Sequence, residues 1–204
     1  MKKLILSIIA VLFLGGILFA GQEQTIENLK AAFKGETTAS AKYAKYADQA
    51  RKEGFVQIAI MFSATSKAEA IHADNHRKVL EKMGQQVDIF VPQFVVKSTR
   101  ENLQDALNGE SYEVATMYPE FIAKAKEEGA TDAVKSFRWA MDTEKKHGEM
   151  YKKALAALNT NTASDLPKIY WVCPKCGNTY DVIKPEAQCS FCGTGSSKYL
   201  KFDK

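Results

Sequence analysis

The sequence predicts an all-α four-helix bundle followed by a small Cys-rich metal domain, and three observations carry that prediction. Residues from about 24 to 158 are rich in Ala, Glu, Lys and Leu, contain only Pro92 and Pro119, and show helical periodicity throughout. The two halves of this stretch repeat each other. All four Cys of the 204-residue chain fall after residue 172, as paired Cys-x-x-Cys-Gly turns.

In chain order, Met1-Lys2-Lys3 followed by the apolar run Leu4 to Ala20 has the basic start and greasy stretch of an export signal. Its 17 residues sit at the boundary between a cleaved signal and a membrane span, which needs about 17 to 25. Leu18-Phe19-Ala20 is a poor small-x-small cleavage site, so signal peptide and retained N-terminal anchor both stand. Either places the remainder in the periplasm or on the outer face of the cytoplasmic membrane. Lys+Arg 28 against Asp+Glu 24 gives +4, and two of those cations lie in the export segment. A nearly neutral remainder predicts no nucleic-acid partner.

Within the bundle, residues 24–158, Gly54, Gly84 and Gly129 read as helix stops and Ser98-x-x-Glu101 as a capping-box start. Met83 to Lys97, containing Val91-Pro92-Gln93-Phe94, is too irregular for a helix and long enough to cross between two helical pairs. Residues 159–167 read as a polar linker and 168–204 as the Cys-rich domain.

The repeat is specific. Glu27-Asn28-Leu29, Ala32 and Gly35-Glu36 recur at Glu101-Asn102-Leu103, Ala106 and Gly109-Glu110, an offset of 74. Tyr43, Tyr46, Ala50, Glu53-Gly54, Phe62, Glu69 and His72 recur at Tyr118, Phe121, Ala125, Glu128-Gly129, Phe137, Glu144 and His147, an offset of 75. One residue has entered the second copy inside a helix, between Ser111 and Met117. Such an insertion is absorbed as a π-bulge, and Pro119 already removes a donor from the same turn. A bulge is expected around Glu113 to Tyr118.

Acid interrupts the apolar stripe of every helix. Glu36 lies between Leu29 and Tyr43; Glu69 and His72 between Thr65 and Val79; Glu110 and Glu113 between Ala106 and Met117; Glu144 and His147 between Ala140 and Tyr151. Five buried carboxylates without cations would cost several kcal/mol each, and Lys and Arg avoid these stripes. One Glu from each of two helices plus Glu-x-x-His from each of the other two is the ligand set of di-iron and di-manganese carboxylate bundles. A solvated face would explain one Glu-x-x-His, but not two at matched repeat positions on apolar faces. Charge counting gives Glu113 a role. Five carboxylates balance two ferric ions and one hydroxide; four balance two ferrous ions, with His72 replacing Glu113 on reduction. His76, one turn beyond His72, reads as a polar plug or a partner of ligands, and Tyr43 and Tyr118 as hydrogen-bond donors to ligand carboxylates or plain core aromatics.

Cys173-Pro-Lys-Cys176-Gly and Cys189-Ser-Phe-Cys192-Gly are separated by twelve residues. Two disulfides are the ordinary expectation for an exported chain, but paired knuckles suit one tetrahedral metal better. Spacing alone does not separate zinc from iron.

With these motifs in place, residues 24 to 204 resemble rubrerythrin. Glu-Asn-Leu with Gly-Glu, both Glu-x-x-His elements, Gly-Glu-x-Tyr-Glu with Met117-Tyr118-Pro119, and Tyr170-Trp171-Val172-Cys173 stand where that family has them. The resemblance implies a ferritin-like four-helix bundle with a small C-terminal β-rich rubredoxin-like domain. It implies an oxo- or hydroxo-bridged di-iron cofactor, with Glu69 and Glu144 bridging, Glu36 with Glu113 or His72 on one iron, and Glu110 with His147 on the other. Cys173, Cys176, Cys189 and Cys192 would hold one mononuclear Fe(Cys)4 centre. The implied activity is reduction of hydrogen peroxide to water in oxidative-stress defence, electrons passing from Fe(Cys)4 to the di-iron pair across a head-to-tail homodimer. Export implies an extracytoplasmic electron donor, where the family usually draws on a cytosolic reductase. A ferritin-like ferroxidase or iron-binding protein and a plain electron carrier are the competing readings.

Overall fold

The computed structural model describes residues 21–203, so the expected export segment, residues 1–20, lies outside the described residues. Five α-helices build the bundle: α1 (Glu23–Lys52), α2 (Val56–Lys82), α3 (Thr99–Tyr112), α4 (Tyr118–Glu127) and α5 (Thr131–Asn159). A π-helical turn, Glu113–Met117, joins α3 to α4 and makes them one rod, so the bundle has four helical members. The expected bulge is therefore present. No helix among the described residues is long and apolar enough to cross a membrane.

Helix ends follow the sequence signals. Gly54, Gly84 and Gly129 take φ of +84°, +72° and +68°, the left-handed conformation that lets the chain leave a helix. Ser98 and Glu101 close a complete capping box, and residues 85–98 cross between the pairs without regular structure. The repeat adds a second pair of caps. Glu53 accepts from the backbone N–H of Thr99 at 3.1 Å, and Glu128 accepts from that of Thr25 at 2.9 Å. Each turn thus caps the first helix of the other half.

Two apolar clusters fill the bundle and leave a polar layer between them. One gathers Tyr43, Tyr46, Ile58, Phe62, Leu103, Tyr151 and Leu158; the other gathers Leu29, Leu80, Tyr118, Ile122 and Phe137. Along every helical member the acids fall where one cluster hands over to the other. Burying each of these large side chains contributes about 1.5–3 kcal/mol, which holds the acids in place.

The tail is a three-stranded antiparallel sheet, order β2-β1-β3, of β1 (Tyr170–Val172), β2 (Thr179–Tyr180) and β3 (Leu200–Phe202). Alternation sends Tyr170 and Val172 into the first apolar cluster of the bundle and Trp171 to the other face, beside the cysteines. The segment expected as a polar linker is partly ordered: Ala163–Asp165 form a 3₁₀ turn and Leu166 is buried in the same cluster. The tail is thereby clamped to its own bundle.

Candidate metal centres

Four helical members bring six predicted residues to one buried point. Glu36, Glu69, His72 and Glu144 place one donor atom each within 4.8 Å of one another, and so do Glu69, Glu110, Glu144 and His147. Glu69 and Glu144 belong to both groups, as bridging carboxylates would. The i, i+3 spacing stacks each Glu with its His on one helix face, and all six residues are buried. Glu113, at the start of the π turn, is half-buried and outside both groups, though near enough to Glu69 and Glu144 to feel their charge.

The donor chemistry fits metal. Glu36 Oε2, Glu69 Oε1 and both Glu144 oxygens are buried without a hydrogen-bond partner, as is His147 Nδ1. Each imidazole turns Nδ1 inward: His147 Nδ1 is 2.7 Å from Glu144 and 3.0 Å from Glu69, and His72 Nδ1 is 2.8 Å from Glu144 and 2.9 Å from Glu69. His147 Nε2 lies 2.9 Å from Thr179 Oγ1. If that nitrogen carries the proton, the Nδ1 lone pair faces anionic oxygen and requires a cation between them. Four carboxylates in the two groups balance two divalent ions.

The same tension appears in the acidities before metal binds. Burial, then neighbouring carboxylates, holds Glu36, Glu110 and Glu113 well above the usual range. Burial also works upward on Glu69, but His147 and His72 outweigh it and bring Glu69 to about 2. Burial works downward on His147, and Glu69 and Glu144 raise it to about 9. Two tyrosines complete the layer across the repeat. Tyr43 donates to Glu110 Oε1 at 2.8 Å and Tyr118 to Glu36 Oε1, so each half's tyrosine serves the other half's glutamate.

The four cysteines are free thiols brought into a single group. Cys173 and Cys192 sulfurs lie 3.5 Å apart, as do those of Cys176 and Cys189, far beyond a disulfide bond of about 2.05 Å and suited to a tetrathiolate. The adjacent Cys176 thiol, against burial and with help from the Lys175 and Cys176 amides, brings Cys173 down to about 4.

The first knuckle rests on the bundle centre. Gly177, φ +80°, lies so close to His72 that a Cβ there would collide with Nε2 and Cδ2 of the ring. Thr179 meets His147, Asn75 Nδ2 donates to Lys175 O at 3.0 Å, and Lys146 reaches Asn178 Oδ1 at 2.5 Å. Sequence reasoning missed the contacts that Gly177, Asn178 and Thr179 make with the bundle, because pairings between segments 32 or more residues apart leave no periodic trace.

A family model described as Rubrerythrin matches residues 27–155. The chain belongs to the rubrerythrin family. It is similar to Rubrerythrin-2 of Clostridium acetobutylicum, 31% identical over 184 residues that cover 87% of this chain and 96% of that one. It is also similar to nigerythrin of Nitratidesulfovibrio vulgaris, 43% identical over 156 residues, 75% of this chain and 74% of that one. Among solved structures, fully reduced, all-ferrous nigerythrin superposes with a TM-score of 0.78 at 35% identity, covering 87% of this chain and 86% of that chain. This rubrerythrin is thus a ferritin-like bundle with a rubredoxin-like tail. Its cofactors are a di-iron pair in the carboxylate and His layer and one iron held by the four cysteines of the knuckles.

Proposed function

We propose that this rubrerythrin is a peroxidase that reduces hydrogen peroxide to water, its tail serving as the electron port of its bundle. The observation that carries this reading is the seating of a cysteine knuckle directly on both histidines of the carboxylate layer. Bound there, a di-iron pair supplies two electrons together and polarises the O–O bond between two Lewis acids. The chain's own contribution is placement. Glu69 and Glu144 span both groups, Glu36 with His72 and Glu110 with His147 close the two ends, and an apolar cluster packs on either side of the layer along the bundle. Thr179 accepts from His147 Nε2–H and donates to Gly177 O at 3.0 Å, which fixes the imidazole and ties it to the knuckle. Residues 1–20 further support export and an extracytoplasmic donor.

Anaerobic reduction followed by one equivalent of peroxide tests the reading. The expected result is three irons per chain and rapid reoxidation of the tail's red chromophore. Zinc in the tail, or faster reaction with dioxygen than with peroxide, overturns it.

A further inference from the structure

The repeat supplies an internal control that isolates one feature of this bundle. His76 corresponds to Tyr151 and Ser136 to Met61, both at the offset of 75. In one half, Tyr151 donates to Thr65 Oγ1 at 2.9 Å, Thr65 donates to Phe62 O, and Met61 is buried and apolar. That path stops inside the bundle. In the other half the buried His76 has Ser136 Oγ 2.8 Å from Nδ1 and Tyr118 Oη 3.3 Å from Nε2, and Tyr118 donates to Glu36 Oε1. Ser136 in turn lines a surface groove of about 520 Å³ with Asn75, Lys78, Lys135 and Trp139. An unbroken file of hydrogen-bonding groups therefore runs from the groove to a carboxylate of the di-iron layer.

We propose that Ser136, His76 and Tyr118 form a proton relay that feeds Glu36 from this groove. The proposal deepens the peroxidase reading and rests on it. Reduction of one peroxide consumes two electrons from the reduced iron pair and two protons, and breaks one O–O bond to give two waters. Glu110 and Glu144 line a separate surface groove of about 340 Å³ that Glu36 does not reach, so the file through His76 is the route on the Glu36 side of the layer.

Tyr118 and Glu36 fix the direction of the file. The Glu36 carboxylate can only accept, so Tyr118 O–H points at it. Tyr118 oxygen then accepts from His76 Nε2–H, which leaves Nδ1 bare to accept from Ser136 O–H. Every donor points inward. In one passage Tyr118 gives its proton to Glu36, His76 gives its Nε2 proton to Tyr118, and Ser136 gives its proton to Nδ1 and takes one from solvent in the groove. Glu36 releases its proton to the departing oxygen. His76 ends as the other tautomer, with its proton on Nδ1, so one passage delivers one of the two protons and the file returns to its starting state when the imidazole changes tautomer by proton exchange with solvent. His76 and Ser136 do not touch the reacting atoms; they are positioning and relay residues.

The test compares His76→Gln, Ser136→Ala and Tyr151→Phe with the wild type in single-turnover reoxidation of the reduced enzyme by peroxide, in H₂O and D₂O. Gln keeps a donor and an acceptor at position 76 but carries no proton through. We expect His76→Gln and Ser136→Ala to slow reoxidation at least tenfold, with unchanged iron content, unchanged dependence on peroxide concentration and an enlarged solvent isotope effect. Tyr151→Phe should stay within twofold. A second measurement needs no turnover: ¹⁵N spectra of the zinc-loaded full chain should show His76 protonated at Nε2, with solvent exchange of that proton slowed at least tenfold by Ser136→Ala. Wild-type rates in His76→Gln, or a His76 proton on Nδ1, overturns the relay. A wild type inert to peroxide refutes the peroxidase reading instead, and the exchange measurement still decides whether the file carries protons.

Discussion

Glu113 is the residue whose position asks for explanation. Both groups of donors are complete without it, and the carboxylates they contain, Glu36, Glu69, Glu110 and Glu144, neutralise two divalent ions. Two ferric ions with one hydroxide need a fifth. Glu113 lies close enough to Glu69 and Glu144 for their charge, after burial, to keep its carboxyl well above the usual range. An increase in metal charge would draw it in as an anion. Glu113→Ala should therefore still bind two divalent ions per bundle, but its oxidised state loses a compensating charge. Its midpoint potential should rise by about 60 mV or more, one decade in a one-electron equilibrium. A redox titration followed in the visible checks this, and an unchanged potential refutes it.

The π turn explains how Glu113 gains its freedom without disturbing its neighbours. Glu36 and Tyr43 are seven residues apart, which brings them back to nearly the same helix face. Glu110 and Tyr118 are eight apart, and in a regular α-helix Tyr118 would sit about 80° further round, off the face that reaches Glu36. The wide turn at Glu113–Met117 absorbs the extra residue and restores the alignment. Deleting Ala115 should convert this stretch to α-helix, keep the fold and divalent-metal binding, and reproduce the potential shift of Glu113→Ala. Circular dichroism, metal analysis and the same titration read all three; a wild-type potential in the deletion variant would separate the π turn from Glu113. The bulge was legible in the sequence because two repeats of unequal length must differ somewhere, and the acids because they break an apolar stripe. The reciprocal caps of Glu53 and Glu128 were visible only as repeated letters. Ser136 looked like any small helix residue, since nothing in its local pattern shows that it meets a histidine 60 residues earlier.

At the scale of the whole molecule, the tail occupies its own bundle. Leu166, Tyr170 and Val172 bury themselves in the bundle's apolar cluster, and the knuckle then reaches His72 through Gly177 and His147 through Thr179. That seating is the ground for proposing delivery within one chain, beside the delivery between two subunits that the family resemblance implied. The two routes differ in what mixing does. A chain with Glu69→Ala keeps its tail iron but lacks a bridging carboxylate; a chain with Cys176→Ser keeps its bundle but lacks its tail iron. Delivery within the chain predicts that refolding the two together restores no peroxide-driven reoxidation, and that the wild-type rate per chain is independent of protein concentration. Recovery in the mixture would show one subunit's tail serving the other's bundle. Gly177→Ala sharpens the result, because its side chain meets both a left-handed φ and the His72 ring. It should retain both metal centres yet transfer electrons between them at least tenfold more slowly, since the knuckle can no longer close onto the imidazole.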